Sequence, residues 1–209
     1  MTALSSIFLY FFKPASVTAL PVPPPITTIF FIRLIVLQSS HMLNLGIKKI
    51  NMNQELDNFL AKRKAKKQSL TLVTGVFDLL HEEHHLFLQK AKKLADLLII
   101  GIESDLRVKQ MKGEDRPINN QVQRLENLNK WELADFIFIL PEEFSRAEDH
   151  RKLIAEIRPD FMAVSSNTAF QAEKATILAE FGGKLTVVHD FNPALSSSKI
   201  MTKLKKKGI

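Results

Sequence analysis

The sequence predicts an α/β fold: a doubly wound, Rossmann-like parallel sheet of five strands with helices on both faces. From residue 52 onward, short apolar runs typical of strands alternate with segments of helical spacing, a pattern that favours a parallel sheet. Residues 97–102 are apolar on both faces, as expected for a parallel strand that helices cover on either side. Apolar residues make up 45% of the chain and charged residues 24%, the composition of an ordinary globular protein.

Each predicted element has its own local pattern. Residues 54–67 form a basic amphipathic helix, and residues 70–75 are an apolar, β-branched run that ends in glycine, typical of a strand. Leucines and alanines then recur at threes and fours over 86–95, which predicts a helix. After the strand at 97–102 come helices near 106–111 and 121–133, a strand at 136–140, a helix near 146–157, a strand at 161–164, a helix near 170–181, a strand at 185–188 and a last helix from about 196.

Residues 1–51 differ in composition from residues 52–209, which we predict to be the folded domain. They hold five of the nine prolines and no acidic residue, and their two apolar runs are shorter than the roughly 20 residues of a membrane span. Three interpretations are open: a weakly membrane-associating leader, a transit-like segment, or upstream sequence translated from a wrong start. We favour the last, because ordinary amphipathic composition starts at Met52; native peptides from upstream of Met52 would contradict it.

Composition also excludes several classes of function. With no cysteine, the chain has no disulfide scaffold, thiolate zinc site, thiol nucleophile or iron–sulfur cluster, and it suits a reducing compartment such as the cytoplasm. The net charge is +7, but residues 1–51 supply four of those charges, so residues 52–209 carry only +3. This balance predicts no nucleic-acid partner. We interpret the basic clusters at 62–67 and 203–207 first as solvated helix ends, with binding of small anionic ligands as the alternative.

Ligands of doubly wound sheets bind at the carboxyl ends of the strands, so the residues after each strand are the first candidates. The segment after the first strand is rich in titratable groups. His81, Glu82 and His85 match the zinc-hydrolase pattern H-E-x-x-H, in which the two histidines bind zinc and the glutamate acts as general base. The motif lies where a strand turns into a helix, and a third ligand would have to be Glu103 or a distant histidine.

The same segment carries a second pattern, with Gly75, Phe77, Asp78, His81 and His84. It resembles the opening motif G-x-F-D-x-x-H-x-G-H of the cytidylyltransferase-like nucleotidyltransferases. Further similarities follow in the family's order: Ser104-Asp105, the K-G-x-x-R-P-I segment at 112–118, Arg124 in its helix, Ile157-Arg158-Pro159-Asp160, and the serine-rich segment at 196–200. The similarity spans residues 70–205 and is greatest to the adenylyltransferase domain of ADP-heptose synthases and to glycerol-3-phosphate cytidylyltransferases.

This resemblance implies transfer of a nucleoside monophosphate from ATP, or alternatively CTP, to a phosphate-bearing sugar or polyol, with release of pyrophosphate. It further implies Mg²⁺ carried with the triphosphate, balanced by Asp78, and it allows a homodimer. The residues that it marks as catalytic are His81, His84, Lys112 and Arg124. Those that it marks as nucleotide-binding are Gly75, Val76, Phe77, Asp78, Arg116, Ser197 and Ser198.

Two departures from the family pattern keep alternatives open. Glu83 replaces the glycine of H-x-G-H and adds bulk and negative charge beside a triphosphate, unless its side chain turns outward. Residues 164–168 replace a K-G-x-D-Y segment that would contact the acceptor or the base. The hypotheses are therefore an active nucleotidyltransferase, a degenerate nucleotide-binding protein without turnover, and the zinc hydrolase.

Overall fold

The structure is a computed structural model, and it describes residues 52–192. Ser197, Ser198 and the last predicted helix lie outside these residues. Within this range, no helix is both long enough and apolar enough to cross a membrane.

Helices and strands alternate along the described chain, as the sequence predicts. In chain order they are α1 (Met52–Lys66), β1 (Leu70–Gly75), α2 (Glu82–Lys92), β2 (Leu97–Ile102), α3 (Asp105–Lys112), α4 (Gln121–Asn129), β3 (Phe136–Ile139), α5 (Ala147–Ile157), β4 (Phe161–Ser165), α6 (Gln171–Glu180) and β5 (Lys184–His189).

The five strands form one parallel sheet in the order β3-β2-β1-β4-β5. The chain moves outward from β1 through β2 to β3, and then crosses back to place β4 and β5 on the other side of β1. The strand order therefore reverses between β1 and β4, which is where this fold class binds ligands. The predicted doubly wound, five-stranded parallel sheet is confirmed.

Helices cover both faces of the sheet. Alternate side chains of the central strands point to opposite faces: Val73 packs with α2 and α4, whereas Leu72 packs with α1 and α5. A third cluster joins Met162 of β4 to α5 and α6. Each fully buried leucine or isoleucine contributes about 1.5–3 kcal/mol of transfer free energy, so these clusters hold the strand ends in place.

Side-chain caps set the ends of the short helices around the sheet edge. Ser104 accepts a hydrogen bond from the backbone N–H of Arg107 at the start of α3, and Asn120 and Gln123 form a capping box that starts α4. The α4 helix ends at Asn129, four residues before its predicted end. The reason is the left-handed backbone of Glu132, with φ of 55°, which a continuing helix does not allow.

Candidate functional site

A pocket of about 640 Å³ opens at the point where the strand order reverses. Gly75 of β1, Val164 of β4 and His189 of β5 place strand ends in its wall, and the start of α2 adds His81 and His84. This is the location that the fold class predicts for a ligand.

The turn from β1 to α2 depends on close packing between Gly75 and Phe77. A Cβ atom on Gly75 would lie 2.9 Å from Phe77 Cε2, so only glycine admits the ring in this position. Phe77 is 5% exposed and has a φ of 50°, and its ring centroid lies 5.5 Å from that of His84. Phe77 therefore supports the imidazole of His84 from the hydrophobic core, while Gly75 and Val76 line the pocket beside it.

The structure brings His81 and His84 together, as their spacing predicts. Their ring centroids are 4.0 Å apart, with His81 at the N-cap of α2 and His84 in its first turn. The backbone N–H of His84 donates to the carbonyl oxygen of His81 at 3.0 Å. Both rings line the pocket, at a helix end whose free N–H groups favour anions.

Both histidines are held in the uncharged form at neutral pH. Burial lowers the pKa of His84 to about 4, and the charges of His81, Lys112 and His189 lower it further. Burial also lowers the pKa of His81, although the carboxylate of Glu83 opposes that shift. The Nδ1 atoms of both rings are buried and have no hydrogen-bond partner among residues 52–192. A bound polyanion would reverse this balance, so we expect anion binding to be coupled to proton uptake.

The depressed pKa of His84 makes stability depend on pH. Because the unfolded chain binds more protons between pH 6.5 and about 4, the free energy of unfolding falls as the pH is lowered through this window. The shift corresponds to about 3 kcal/mol for His84. Burial lowers the pKa of His150 to about 4 as well, so it contributes in the same direction.

Urea unfolding at pH 7 and at pH 4.5 checks this prediction. In His84→Asn, the free energy of unfolding should lose most of the pH dependence that His84 contributes. In His85→Asn, one position along α2, the pH dependence should equal that of the wild type. Equal pH dependence in the wild type and in His84→Asn would contradict the assignment.

The zinc-hydrolase alternative is not supported by the placement of its residues. His81 lies against His84, whereas the ring of His85 lies edge-on to Trp131, with centroids 5.0 Å apart. Nowhere in the described part of the chain do three histidine, aspartate or glutamate side chains form a group that could hold a metal ion.

Lys112, the last residue of α3, lines the same pocket as the two histidines. Partial burial lowers the pKa of its ammonium, and the charge of Arg116 adds to that shift, while Asp78 opposes it. Its charge also acts on His84. Lys112 therefore supplies positive charge to the part of the pocket where the imidazoles lie.

Asp78 and Arg116 form a buried ion pair. Asp78 lines the pocket but is only 2% exposed; its Oδ2 accepts from the N–H of Ile118 at 2.9 Å and its Oδ1 from the N–H of Asn119 at 2.8 Å. Arg116 Nη2 lies 2.6 Å from Asp78 Oδ2 and is also buried. The pair holds the loop before α4, and the contacts of Asp78 with Mg²⁺ and of Arg116 with phosphate stay predictions.

Arg124 also differs from its expected role. Its side chain is fully buried, and its guanidinium donates to the carbonyl oxygens of Val76, Glu103 and Asn119 at 2.6–3.1 Å. It also pairs with Asp105 Oδ1 at 2.8 Å. With its donors used in this way, Arg124 positions the ends of β1 and β2 and does not face the pocket.

Glu83 lines the pocket, but its carboxylate is directed towards the end of β5. Its Oε2 lies 2.6 Å from His189 Nε2, and its Oε1 accepts from Asn192 Nδ2 at 3.4 Å. The hydrogen bond from His189 lowers the pKa of Glu83. Lys90 Nζ lies 3.4 Å from His189 Nδ1, on the other side of the ring. The charge that replaces the motif glycine therefore has a dedicated partner.

The nucleotidyltransferase site predicted from the sequence lacks three titratable residues that line the pocket: His189, Glu103 and Lys174. His189 ends β5 and Glu103 directly follows β2, so the rule that ligands meet the carboxyl ends of strands could have found both. Lys174 lies inside α6, where no motif distinguishes it from a solvent-exposed lysine. Asn167 and Thr168, in the segment that departs from the family pattern, line the pocket too.

Comparisons with known proteins agree with this geometry. A family model described as cytidylyltransferase-like matches residues 72–205. The bifunctional protein HldE of Campylobacter jejuni subsp. doylei is 34% identical over 160 residues, which are 77% of this chain and 32% of that protein. HldE of Helicobacter pylori strain P12 is 34% identical over 140 residues, 67% of this chain and 28% of that protein. The chain thus spans about a third of the length of these relatives.

Among solved structures, a lipopolysaccharide core biosynthesis protein from Thermoplasma volcanium superposes with a TM-score of 0.47 at 23% identity, covering 60% of this chain and 97% of that one. The assignment rests on the family model, which covers well over half of the sequence and includes the pocket residues of β1, α2 and β5. The protein described here is a member of the cytidylyltransferase-like nucleotidyltransferase family.

Proposed function

We propose that this protein transfers a nucleoside monophosphate from a nucleoside triphosphate to the phosphate of a sugar or polyol phosphate, and releases pyrophosphate. The observation that carries the proposal is the His81–His84 pair, stacked beside Lys112 in the pocket where the strand order reverses. The similarity to the adenylyltransferase domain of ADP-heptose synthases favours ATP and a sugar phosphate, with CTP as the second candidate.

Nucleotidyl transfer requires that the protein position the phosphates and stabilise their negative charge; it does not require covalent catalysis. An oxygen of the acceptor phosphate attacks the α-phosphorus in line, a new P–O bond forms, and the bond to the β-phosphate oxygen breaks with its electron pair leaving on pyrophosphate. The acceptor phosphate is already ionised, so no general base is needed. His81 and His84 would donate N–H groups to the α- and β-phosphate oxygens, and Lys112 would offset the charge that develops on the leaving group.

The described residues do not build a site of their own for Mg²⁺. Both oxygens of Asp78 accept backbone hydrogen bonds, and Glu83 is engaged by His189 and Asn192. We therefore propose Mg²⁺ only as the companion of the triphosphate, bound through phosphate oxygens. A cytoplasmic location and a homodimer stay predictions, to be tested by cell fractionation and by sedimentation of the purified protein.

Pyrophosphate release tests the proposed activity. The full chain is incubated with ATP, CTP, GTP or UTP together with each of several sugar and polyol phosphates. We expect one triphosphate–acceptor pair to exceed the others at least about tenfold, because the pocket must read both partners. Binding of a triphosphate without release of pyrophosphate from any pair would instead favour the degenerate nucleotide-binding protein.

Glu83→Gly and Glu83→Gln, assayed in parallel, test whether the departure from the motif damages the site. Since the Glu83 carboxylate is held by His189, we expect Glu83→Gly to give no gain in turnover. A gain of tenfold or more in Glu83→Gly, absent from Glu83→Gln, would show that the side chain obstructs the nucleotide.

A further inference from the structure

One part of the pocket is not used by the nucleotide chemistry proposed above. It is formed by Glu103 after β2, by Asn167 and Thr168 after β4, and by Lys174 of α6, and we call it the 103/174 wall. These residues are distinct from the His81–His84 pair and from Lys112, yet they line the same cavity. A transferase needs a second subsite for its acceptor, and this wall is the available polar surface.

Glu103 carries an unsatisfied acceptor in this wall. Its backbone N–H donates to the carbonyl oxygen of Gly75 at 3.0 Å, which fixes the residue against the end of β1. Its side-chain Oε2 is shielded from solvent and accepts no hydrogen bond from any described residue. Burial raises the pKa of Glu103, while the charges of Arg107, Lys174 and Arg124 oppose the shift and favour the carboxylate. An acceptor left unpaired in this way is unfavourable, and a ligand hydroxyl would satisfy it.

Lys174 supplies a cation next to this acceptor. Its side chain is half-buried and lines the pocket, and burial lowers the pKa of its ammonium. Within residues 52–192 it forms no salt bridge; its charge interacts at longer range with Glu103 and Glu173. An ammonium that is partly desolvated and not paired at contact distance is suited to an anionic group of a ligand.

We propose that Glu103 and Lys174 form the acceptor subsite, in which Glu103 accepts hydrogen bonds from hydroxyls and Lys174 binds the phosphate. The inference rests on the proposed function and specifies it: these two side chains recognise the hydroxyls and the phosphate of the acceptor. A plain alkyl phosphate would satisfy Lys174 but leave the Glu103 acceptor unpaired, and sites built for hydroxyls discriminate against ligands that lack them. Asn167 and Thr168 offer neutral polar groups along the same wall.

Calorimetry tests this without requiring turnover. The full chain, loaded with the α,β-methylene analogue of ATP or CTP, is titrated with glycerol 3-phosphate, mannose 1-phosphate and propyl phosphate. We expect at least one hydroxylated phosphate to bind about tenfold more tightly than propyl phosphate. Glu103→Met, which removes the acceptor oxygens, should abolish most of that preference, and Lys174→Met should weaken all three phosphates about tenfold, with affinity for the analogue unchanged.

Matched controls are Glu173→Gln, next to Lys174 on α6 but outside the pocket, and Lys152→Met, an exposed lysine on α5; both should stay within about twofold of wild type. Thermal melting confirms that each variant is folded, and Lys174→Met tests the subsite independently if Glu103→Met is not. A wild type without the preference, or a Glu103→Met variant that keeps it or loses affinity for the analogue equally, would overturn the inference. The calorimetry measures binding and not pyrophosphate release. A protein that binds the acceptor in this subsite but has no turnover would therefore contradict the proposed function and not this inference.

Discussion

His84→Asn is expected to lower kcat/KM for pyrophosphate release by at least about a hundredfold, the effect of removing one preorganised donor from a developing charge. His84 is half-buried and packs against Phe77 and His81, so its ring is already oriented when the triphosphate binds. Because this donor acts most strongly on the transition state, the loss should fall mainly on kcat. Initial rates at saturating and at limiting triphosphate measure both constants.

His85→Asn is the control, since it changes the same residue type one position away, where the ring contacts Trp131 instead of the pocket. It should retain kcat/KM within about threefold of wild type, as expected for a residue outside the site. A loss below threefold in His84→Asn, or equal losses in both variants, would contradict the role assigned to the imidazole pair.

Arg124→Met is expected to produce the largest loss of stability in the described domain, about 3–5 kcal/mol, because it removes a fully buried guanidinium that serves three backbone carbonyl oxygens and the partly exposed carboxylate of Asp105. The carbonyl oxygens of Val76 and Glu103 would lose their donor, and the carboxylate of Asp105 its cation. Arg124→Lys should recover only part of the loss, since an ammonium lacks the planar fork that serves several acceptors at once.

Urea unfolding at pH 7 measures this effect, with Arg151→Met as the control. Arg151 pairs with Glu148 and Glu180 on the protein surface, where removal of an ion pair costs about 1 kcal/mol or less. If Arg124→Met unfolds within 1 kcal/mol of wild type yet loses triphosphate affinity, Arg124 is a phosphate ligand and not a positioning residue.

The order of the elements and the position of the site could be predicted from the sequence because both depend on local patterns. Apolar runs such as residues 97–102 and the helical spacing after His84 are visible within ten residues or so, and each produced an element near its expected bounds. The His81–His84 pair could be predicted for the same reason, since two residues three apart at a helix start face the same side.

The tertiary structure alone decided which charges remain free for a ligand. Asp78 is satisfied by backbone groups about 40 positions away, and Glu83 meets His189, which lies 106 positions further along the chain. Arg124 was expected at the pocket, but its guanidinium donates to the carbonyl oxygens of Val76 and Glu103, which directly follow β1 and β2. A sequence motif specifies only the residue types. Whether a charged side chain is paired depends on which atoms folding brings within about 3 Å of it, and the tertiary structure alone decides this.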